Sequence, residues 1–294
     1  MKKSFFIYVF LAFAAICLVP FMAEASGPIN WGIGLQEAAS PVKEEMEKFH
    51  TMLLWIISGI CLFVLALLVY VVLRYNKHTN PVPSKVTHNV PLEVAWTIIP
   101  IVILIIISVP SFKLLYYTDR VAEPEMTLKV IGYQWYWGYE YPDQEISEFQ
   151  AYMIPEEDID KTKGQRRLLS TDYPVVLPVE TDIEILVTAA DVLHSFAVPA
   201  FGLKTDAVPG RTNVTWVRIT KPGTYYGQCS ELCGTGHAYM PIEIRAVPKE
   251  QFEQWVSVAK DDLDSAYALL GEAVPEIAQD EILEPEDNAE AAQM

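Results

Sequence analysis

Histidine and cysteine are scarce in this chain, and basic residues are fewer than acidic ones. Its 294 residues include five histidines and four cysteines, and no Cys-x-x-Cys-His segment occurs. The absence of that segment excludes covalent attachment of a c-type haem. Lysine and arginine number 21 against 38 aspartates and glutamates, which gives a formal net charge of −17. This balance argues against a nucleic-acid partner, because binding to phosphates needs a basic surface.

The negative charge is concentrated at the C-terminus, where residues 250–294 hold 13 acids and one lysine. The stretch beyond Asp261 is rich in alanine and is interrupted by Pro275 and Pro285. A segment of this composition buries little apolar surface. We predict residues 261–294 to be an acidic tail that is disordered or loosely helical.

The first 25 residues have the three parts of a secretory signal. Lys2 and Lys3 precede an apolar run that ends at Met22, and Ala23-Glu-Ala25 is typical of a cleavage site. We predict a cleaved signal peptide over residues 1–25. An uncleaved first membrane helix is the alternative, although the run is short for a span.

Two later apolar stretches, about residues 49–73 and 94–117, are long enough to cross a bilayer. The loop between them carries three basic residues: Arg74, Lys77 and Lys85. The positive-inside rule therefore puts this loop in the cytoplasm and returns both ends of the hairpin to the outer side. We predict an N-terminal lead and a transmembrane hairpin over residues 26–121. Neither stretch has a histidine near its middle, so the chain has no evident pair of axial ligands for a haem of its own.

From Met126 to Val247 the chain changes to short strand-like runs punctuated by glycine and proline, which predicts an antiparallel sandwich or barrel. The clearest strands are Thr127–Tyr141, Asp182–Thr188, Asn213–Ile219, Thr224–Gln228 and Pro241–Val247. Residues 156–171 show no periodicity and are predicted to be a surface insertion. After Pro248 an amphipathic helix is predicted, with apolar residues at helical spacing: Phe252, Trp255, Val256 and Ala259.

The segment Gln228–Met240 has the composition of a metal-binding loop. Cys229 and Cys233 lie four residues apart, His237 follows four residues later, and Met240 three beyond that. Thiolates, imidazole and thioether are soft ligands, which suit copper or zinc and suit magnesium or calcium poorly.

Two glycines of the same loop, Gly234 and Gly236, are expected to allow the unusual backbone angles that bring several side chains to one point.

One loop rarely completes a coordination sphere, and three of the five histidines lie in or beside the membrane segments: His50, His78 and His88. This leaves His194, which follows the strand-like run Asp182–Thr188, as the distant ligand.

Two histidines, a cysteine and a weak axial methionine form the blue-copper ligand set. A second cysteine lets both thiolates bridge two metals, so the residues predict a centre of two coppers and two sulfurs. One copper is expected to bind His194 and Met240. The other is expected to bind His237 and a backbone carbonyl near Glu231.

Three alternatives remain open at this point. The first alternative is a disulfide between Cys229 and Cys233 in an oxidising compartment. The loop that this bond closes is small, so it would restrain the unfolded chain little. The second is a Cys2His2 zinc site, which leaves Met240 without a purpose. In the third, Met240 fills a gap in the core, as methionine commonly does.

The same residues resemble a known family. The motif Cys229-x-Glu231-x-Cys233-x3-His237-x2-Met240, with His194 upstream in Asp-Val-Leu-His-Ser-Phe, resembles the CuA site of cytochrome c oxidase subunit II. Two further segments are similar to segments of that family: the aromatic run Gly132–Tyr141 and Leu92–Pro100. The resemblance covers about residues 30–260, and its motifs are jointly specific.

The resemblance implies a membrane-anchored all-β protein, in which a two-helix transmembrane hairpin precedes a cupredoxin-like β-barrel domain over residues 122–260. It implies a subunit that accepts electrons from cytochrome c at a dinuclear copper A centre. From there they pass to haem in subunit I, where O2 is reduced to water with proton pumping. The expected partners are subunit I, the other subunits of the oxidase, cytochrome c and the membrane. The expected location is the cell inner membrane, as a multi-pass protein with its copper domain on the periplasmic side.

The resemblance also implies roles for particular residues. Trp135 matches the tryptophan at which electrons enter, although strand packing also accounts for an aromatic cluster here. Glu93 matches a glutamate at the entrance of a proton pathway into subunit I, whereas its position alone indicates an ordinary interfacial carboxylate. Glu231 matches a residue whose carboxylate binds a magnesium or manganese ion shared with subunit I.

Four acids are candidates for a negative rim that docks a basic cytochrome c: Glu140, Asp143, Asp182 and Asp191. Ordinary solvation is the alternative for each. Within the fold, a quinol oxidase subunit would lack the copper ligands that are present here. A protein of another class, a membrane-tethered copper carrier or a redox-sensing binding module, also fits the ligand set.

Overall fold

The computed structural model describes residues 31–82, 84–119 and 123–270. The predicted signal peptide and residues 271–294 of the predicted tail lie outside the described residues. Within these ranges, two long helices come first, α1 (Pro41–Arg74) and α2 (Val90–Thr118). Each begins at a capping side chain, because Ser40 Oγ accepts the Lys43 N–H and Asn89 Oδ1 accepts the Leu92 N–H.

Within the described residues, α1 and α2 are the two helices long and apolar enough to span a membrane. They pack against each other, and the side chains of their apolar stretches face outward without protein cover. Both helices are longer than the predicted spans, since α1 begins at Pro41 and α2 at Val90. The extra turns of α1 contain Glu44, Glu45 and Lys48, so they are helical but too polar for the hydrocarbon region.

In the part of the chain that the structure describes, ten strands follow in two five-stranded sheets. The first sheet has the order β3-β2-β1-β5-β8, with β1 (Met126–Tyr133), β2 (Tyr136–Tyr141), β3 (Ile146–Ala151), β5 (Ile183–Ala189) and β8 (Asn213–Val217). The second has the order β4-β10-β9-β6-β7, with β4 (Val175–Pro178), β6 (His194–Val198), β7 (Leu203–Ala207), β9 (Gly223–Cys229) and β10 (Pro241–Val247). The cupredoxin-like two-sheet domain is therefore present, although β1–β5 and β4–β10 pair in parallel rather than antiparallel.

The predicted single strand Thr127–Tyr141 is wrong, because this run folds into the β1–β2 hairpin. Lys129 pairs with Glu140 and Tyr133 with Tyr136, and a cis peptide joins Gln134 to Trp135 in the turn. The turn contains none of the glycine, proline, asparagine or aspartate that usually marks one. Its aromatic and branched neighbours all favour strands, so the local pattern shows no break.

The core lies between the sheets and is formed by the alternate residues of each strand that face inward. Leu128 and Val130 of β1, Ile185 of β5 and Ile242 of β10 have no exposed surface. Phe196 of β6 packs edge-on against the indole of Trp137 at 5.3 Å. This contact closes the end of the core at which His194 begins β6.

The N-terminal lead is attached to the domain. Ala39 N donates to Ala200 O at 2.9 Å, Thr220 N donates to Ala39 O at 3.0 Å, and Ser40 Oγ donates to Phe201 O at 2.7 Å. At the other end of the hairpin, the ring of Tyr117 meets Trp216 edge-on, with 5.9 Å between centroids. The β domain therefore contacts both the start of α1 and the end of α2.

The predicted helix after Pro248 is confirmed as α3 (Lys249–Ala259), which buries Phe252, Trp255 and Ala259. The beginning of the predicted acidic tail is helical, since Leu263–Leu269 forms α4. Asp262 caps this helix, Ala266 is fully buried, and Tyr267 Oη donates to Pro174 O at 2.6 Å. The acidic composition of this segment favoured a tail, and it contains only a few apolar residues that pack the helix against the domain.

Replacing Trp255 by alanine is expected to lower the free energy of unfolding by about 3–5 kcal/mol, since it empties a fully buried site. The ring packs against Tyr141, Phe252 and Tyr267, and its Nε1 has no hydrogen-bond partner in the described part of the chain. Trp255→Phe should therefore cost much less. Denaturant unfolding of the full chain in detergent, followed by the β-sheet circular dichroism, measures both; equal losses would contradict the packing argument.

Candidate metal centre

Three parts of the second sheet bring the predicted metal ligands together. His194 is the first residue of β6, and Cys229 is the last residue of β9. The register Phe196 opposite Cys229 sets these two strand ends side by side, and Ser230 N donates to Ser195 O at 3.0 Å just beyond. The other ligands lie in the β9–β10 connection: Cys233, His237 and Met240.

The sulfur and nitrogen atoms of these residues converge. The two thiol sulfurs are 3.9 Å apart, and His194 Nδ1 lies 3.9 Å from Cys229 Sγ. Around Cys233 Sγ, His237 Nδ1 and Met240 Sδ each lie at 3.5 Å. The carbonyl oxygen of Glu231 is 3.4 Å from Cys229 Sγ. The ligand atoms of His194, Cys229 and Cys233 lie within 4.8 Å of one another, and the other predicted donor atoms each contact one of the two sulfurs.

The chemistry of this donor set fits copper. A disulfide has an S–S length of about 2.05 Å, whereas Cys229 and Cys233 are free thiols with their sulfurs 3.9 Å apart. A four-coordinate zinc site would leave donors unused, because Met240 is buried with its sulfur turned toward Cys233. Two thiols, two imidazoles, a thioether and a carbonyl form a donor set that suits a soft metal such as copper.

Asp191 determines how His194 presents its ring. Oδ1 of Asp191 accepts the Val192 N–H at 2.6 Å and contacts His194 Nε2 at 2.9 Å, while Oδ2 accepts the Gln134 N–H at 2.7 Å. An ionised carboxylate only accepts hydrogen bonds, so Nε2 must carry a proton. Nδ1 is then the ring atom left for a metal, and it faces Cys229.

The charges of this pair are consistent with that arrangement. Burial raises the pKa of Asp191, but hydrogen bonds from His194 and two backbone N–H groups outweigh it and lower the pKa below the ordinary carboxyl value. Burial lowers the pKa of His194, but Cys229 and Asp191 outweigh it and raise the pKa. The carboxylate therefore stays ionised where three donors meet.

The two thiols differ in acidity. Burial alone raises the pKa of Cys229, but hydrogen bonding to His194 and to nearby backbone groups lowers it to about 6. Burial and the neighbouring Cys229 charge raise the pKa of Cys233 to about 12. At neutral pH one thiol is ionised and the other holds its proton, which a bound metal ion would displace.

Trp135 packs directly on the ligand loop, and its Nε1 donates to Cys233 O at 3.1 Å. The expectation for Gly234 is confirmed, since its φ of +117° is disfavoured for other residues. The expectation for Gly236 is wrong, because its φ is −91°. A Cβ at Gly236 would lie 2.3 Å from Trp135 Cδ2, so this glycine makes room for the indole.

Two positions of the site were missed in the sequence. Gly132 lies under the imidazole of His194, where a Cβ would be 2.8 Å from Cδ2. Gln134 binds both ligand-bearing segments through Asp191 and the Cys233 carbonyl. A glutamine inside an otherwise aromatic run is the signal that was available, because a polar side chain among rings needs a partner.

The four predicted docking acids do not form one rim. Asp191 lies beside the ligands, and the other three bind groups of the domain: Glu140 with Lys129 Nζ (2.7 Å), Asp143 with Thr127 N (2.6 Å) and Asp182 with Arg218 Nη1 (3.3 Å). Asp143 and Asp182 lie beside the start of β1. They are thus about 20 Å from its metal end, at roughly 3.3 Å per residue.

Glu93 lies in the first turn of α2, apart from the metal ligands. Its Oε1 accepts the Asn89 N–H at 3.1 Å, while the Asn89 side chain accepts the Leu92 N–H. The contact helps to cap the helix at the end predicted to face the cytoplasm.

A buried set of soft ligands in a two-sheet β domain, carried by two membrane-spanning helices, defines a membrane-anchored, cupredoxin-like protein with a site suited to copper. The family model "Cytochrome C oxidase subunit II, periplasmic domain" matches residues 126–247, and the model for the transmembrane domain of that subunit matches residues 28–114. The chain belongs to the cytochrome c oxidase subunit II family.

Individual proteins of the same family are similar to this chain over most of its length. A probable cytochrome c oxidase subunit 2 of Rickettsia bellii is 52% identical over 233 residues, which cover 79% of this chain and 86% of the relative. Cytochrome c oxidase subunit 2 of Zea mays is 46% identical over 242 residues, covering 80% and 92%. The crystal structure of the periplasmic domain of subunit II of Bradyrhizobium japonicum cytochrome oxidase is 50% identical. It covers 48% of this chain and 97% of that one, with a TM-score of 0.45.

Replacing Asp191 by asparagine is expected to lower copper affinity by about 10- to 100-fold, a range typical of residues that hold a metal ligand in place. The amide group cannot accept from Val192, His194 and Gln134 at once, so the ring of His194 is no longer fixed. Copper titration of the full chain against a competing chelator measures the loss. Asp143→Asn is the matched control, because Asp143 also accepts a backbone N–H but lies far from the ligands. Unchanged affinity in Asp191→Asn would refute the assignment.

The ultraviolet thiolate absorbance of the reduced, copper-free chain is expected to rise by one thiolate as the pH increases through about 6, the pKa of Cys229. Cys233, with its pKa raised to about 12, should stay protonated over the same interval. The step should vanish in Cys229→Ser and persist in Cys233→Ser. The reverse result would show that the two thiols have been assigned in the wrong order.

Proposed function

We propose that the chain is the subunit at which electrons enter a cytochrome c oxidase. It accepts them from cytochrome c at a dinuclear copper A centre and passes them to haem in subunit I, where O2 is reduced to water with proton pumping. The observation that carries the proposal is the convergence of the Cys229 and Cys233 sulfurs, 3.9 Å apart, with two imidazoles and a thioether.

The fold of the chain brings the ligand side chains of this centre together. Cys229 and Cys233 would bridge, His194 and Met240 would serve one copper, and His237 and the Glu231 carbonyl the other. When bound, such a pair supplies one-electron exchange with the charge change spread over two metals. Strand pairing, the Asp191 contact and burial of the sulfurs limit how far the ligands move, and small rearrangement favours fast electron transfer.

We propose Trp135 as the point at which electrons enter. Its indole is partly exposed and reaches the ligand loop through the 3.1 Å hydrogen bond to Cys233 O. Asp191 lies next to it at the metal end and would meet a basic cytochrome c directly. Glu140, Asp143 and Asp182 would act from farther away, on the rate of encounter rather than on affinity.

Three further assignments rest on the family pattern. Glu93 would be the entrance of a proton pathway into subunit I, in addition to its contact with Asn89. The exposed carboxylate of Glu231 would bind a magnesium or manganese ion shared with subunit I. The protein would lie in the inner membrane with its copper domain on the periplasmic side, which agrees with the basic loop between α1 and α2.

Copper stoichiometry and electron paramagnetic resonance of the full chain, loaded with copper in detergent, test the proposal. We expect two coppers per chain that share one unpaired electron, because both thiolates bridge. Cys233→Ser is the control, and it should bind one copper with an ordinary mononuclear signal. One copper in the unaltered chain would favour a copper carrier, and a Cys229–Cys233 disulfide without copper would favour a redox sensor. Either result would overturn the proposed function.

A further inference from the structure

The carbonyl oxygen of Cys233 accepts two hydrogen bonds from neighbouring residues of one turn. Gln134 Nε2 donates to it at 2.8 Å, and Trp135 Nε1 donates to it at 3.1 Å. A backbone carbonyl has two lone pairs, so these donors use its full capacity. The β1–β2 turn is thereby fixed to the backbone of a metal-ligand residue.

Gln134 is also fixed on its other side. Its backbone N–H donates to Asp191 Oδ2 at 2.7 Å, and the same carboxylate holds His194. One residue therefore links the β5–β6 connection, which precedes His194, to the β9–β10 connection, which carries Cys233.

Gln134 is exposed, and an exposed glutamine without a role would keep its rotamer freedom in water. Holding such a side chain in one position costs conformational entropy, so that position needs a favourable contact, which the hydrogen bond to the Cys233 carbonyl supplies. The indole beside it lies flat on the loop, with Cζ2 3.0 Å from the Cβ position of Gly234 and Cδ2 2.3 Å from that of Gly236. Without the Gln134 side chain, the ring would keep its hydrogen bond, these glycine contacts and its packing against the core, but the turn that carries it would lose its own bond to the Cys233 carbonyl.

We propose that Gln134 is a positioning residue for electron entrance: it fixes the β1–β2 turn to the Cys233 carbonyl and the Asp191 carboxylate, and so keeps Trp135 Nε1 bonded to Cys233 O. It acts through the placement of Trp135 and is not one of the predicted metal ligands. The electron-transfer part of this inference rests on the proposed function, whereas the placement of the indole is a property of the chain alone.

The placement is tested on the copper-free full chain labelled with 5-fluorotryptophan in detergent. The fluorine signal of Trp135, identified by its loss in Trp135→Phe, should shift and broaden in Gln134→Met, which keeps the length of the side chain and removes its donor. Gln254→Met is the matched control, because Gln254 is exposed on α3 away from the site. An unchanged Trp135 signal in Gln134→Met would overturn the inference whatever the protein does.

The electron step is tested on the copper-loaded full chain by stopped-flow reduction with ferrocytochrome c. Gln134→Met should slow reduction about ten- to a hundredfold, as small displacements of a positioned group do, with unchanged copper content and copper spectrum. In Trp135→Phe, adding Gln134→Met should slow it no further, because residues acting through one contact are not additive. Additive losses, or copper loss in Gln134→Met, would indicate a merely structural role and overturn the inference. Failure of the unaltered chain to bind two coppers or to be reduced would instead overturn the proposed function.

Discussion

The pairing of β6 with β9 is the contact on which the whole metal site depends. It sets His194 and Cys229, 35 positions apart in the chain, at adjacent strand ends. The remaining ligands follow within the next eleven residues, so one strand pair and one loop are enough to gather them. Both strands are central in their sheet, where ladder bonds on two sides restrict their movement. The sulfur and nitrogen atoms therefore inherit the rigidity of the core rather than the mobility usual for loops.

Both steric fit and hydrogen bonding position the rings around these ligands. Gly132 leaves room for the imidazole and Gly236 leaves room for the indole, so two absent methyl groups determine where two rings lie. The Asp191 carboxylate then selects which imidazole nitrogen faces the thiols. Steric fit and hydrogen bonding thus act on the same few atoms, and each would be ineffective alone.

Local spacing made the ligand loop predictable, and the small number of histidines made His194 predictable as its partner. The β1–β2 hairpin was not, because the turn at Gln134 and Trp135 lacks turn residues and lies directly between Tyr133 and Tyr136, which favour strands. The parallel pairs β1–β5 and β4–β10 join distant segments, for which no local pattern exists. The role of Gly236 was misjudged for the same reason, since the ring that needs its space comes from 101 residues earlier in the chain.

The attachment of the β domain to both ends of the helical hairpin has a mechanical consequence. Ala39 and Ser40 bind it where α1 begins, and the Tyr117 ring meets Trp216 where α2 ends. A domain attached at one point can rotate about that point, whereas attachment at two separated points restricts the rotation. The orientation of the thiol pair relative to the helical hairpin is accordingly restrained by contacts within this single polypeptide.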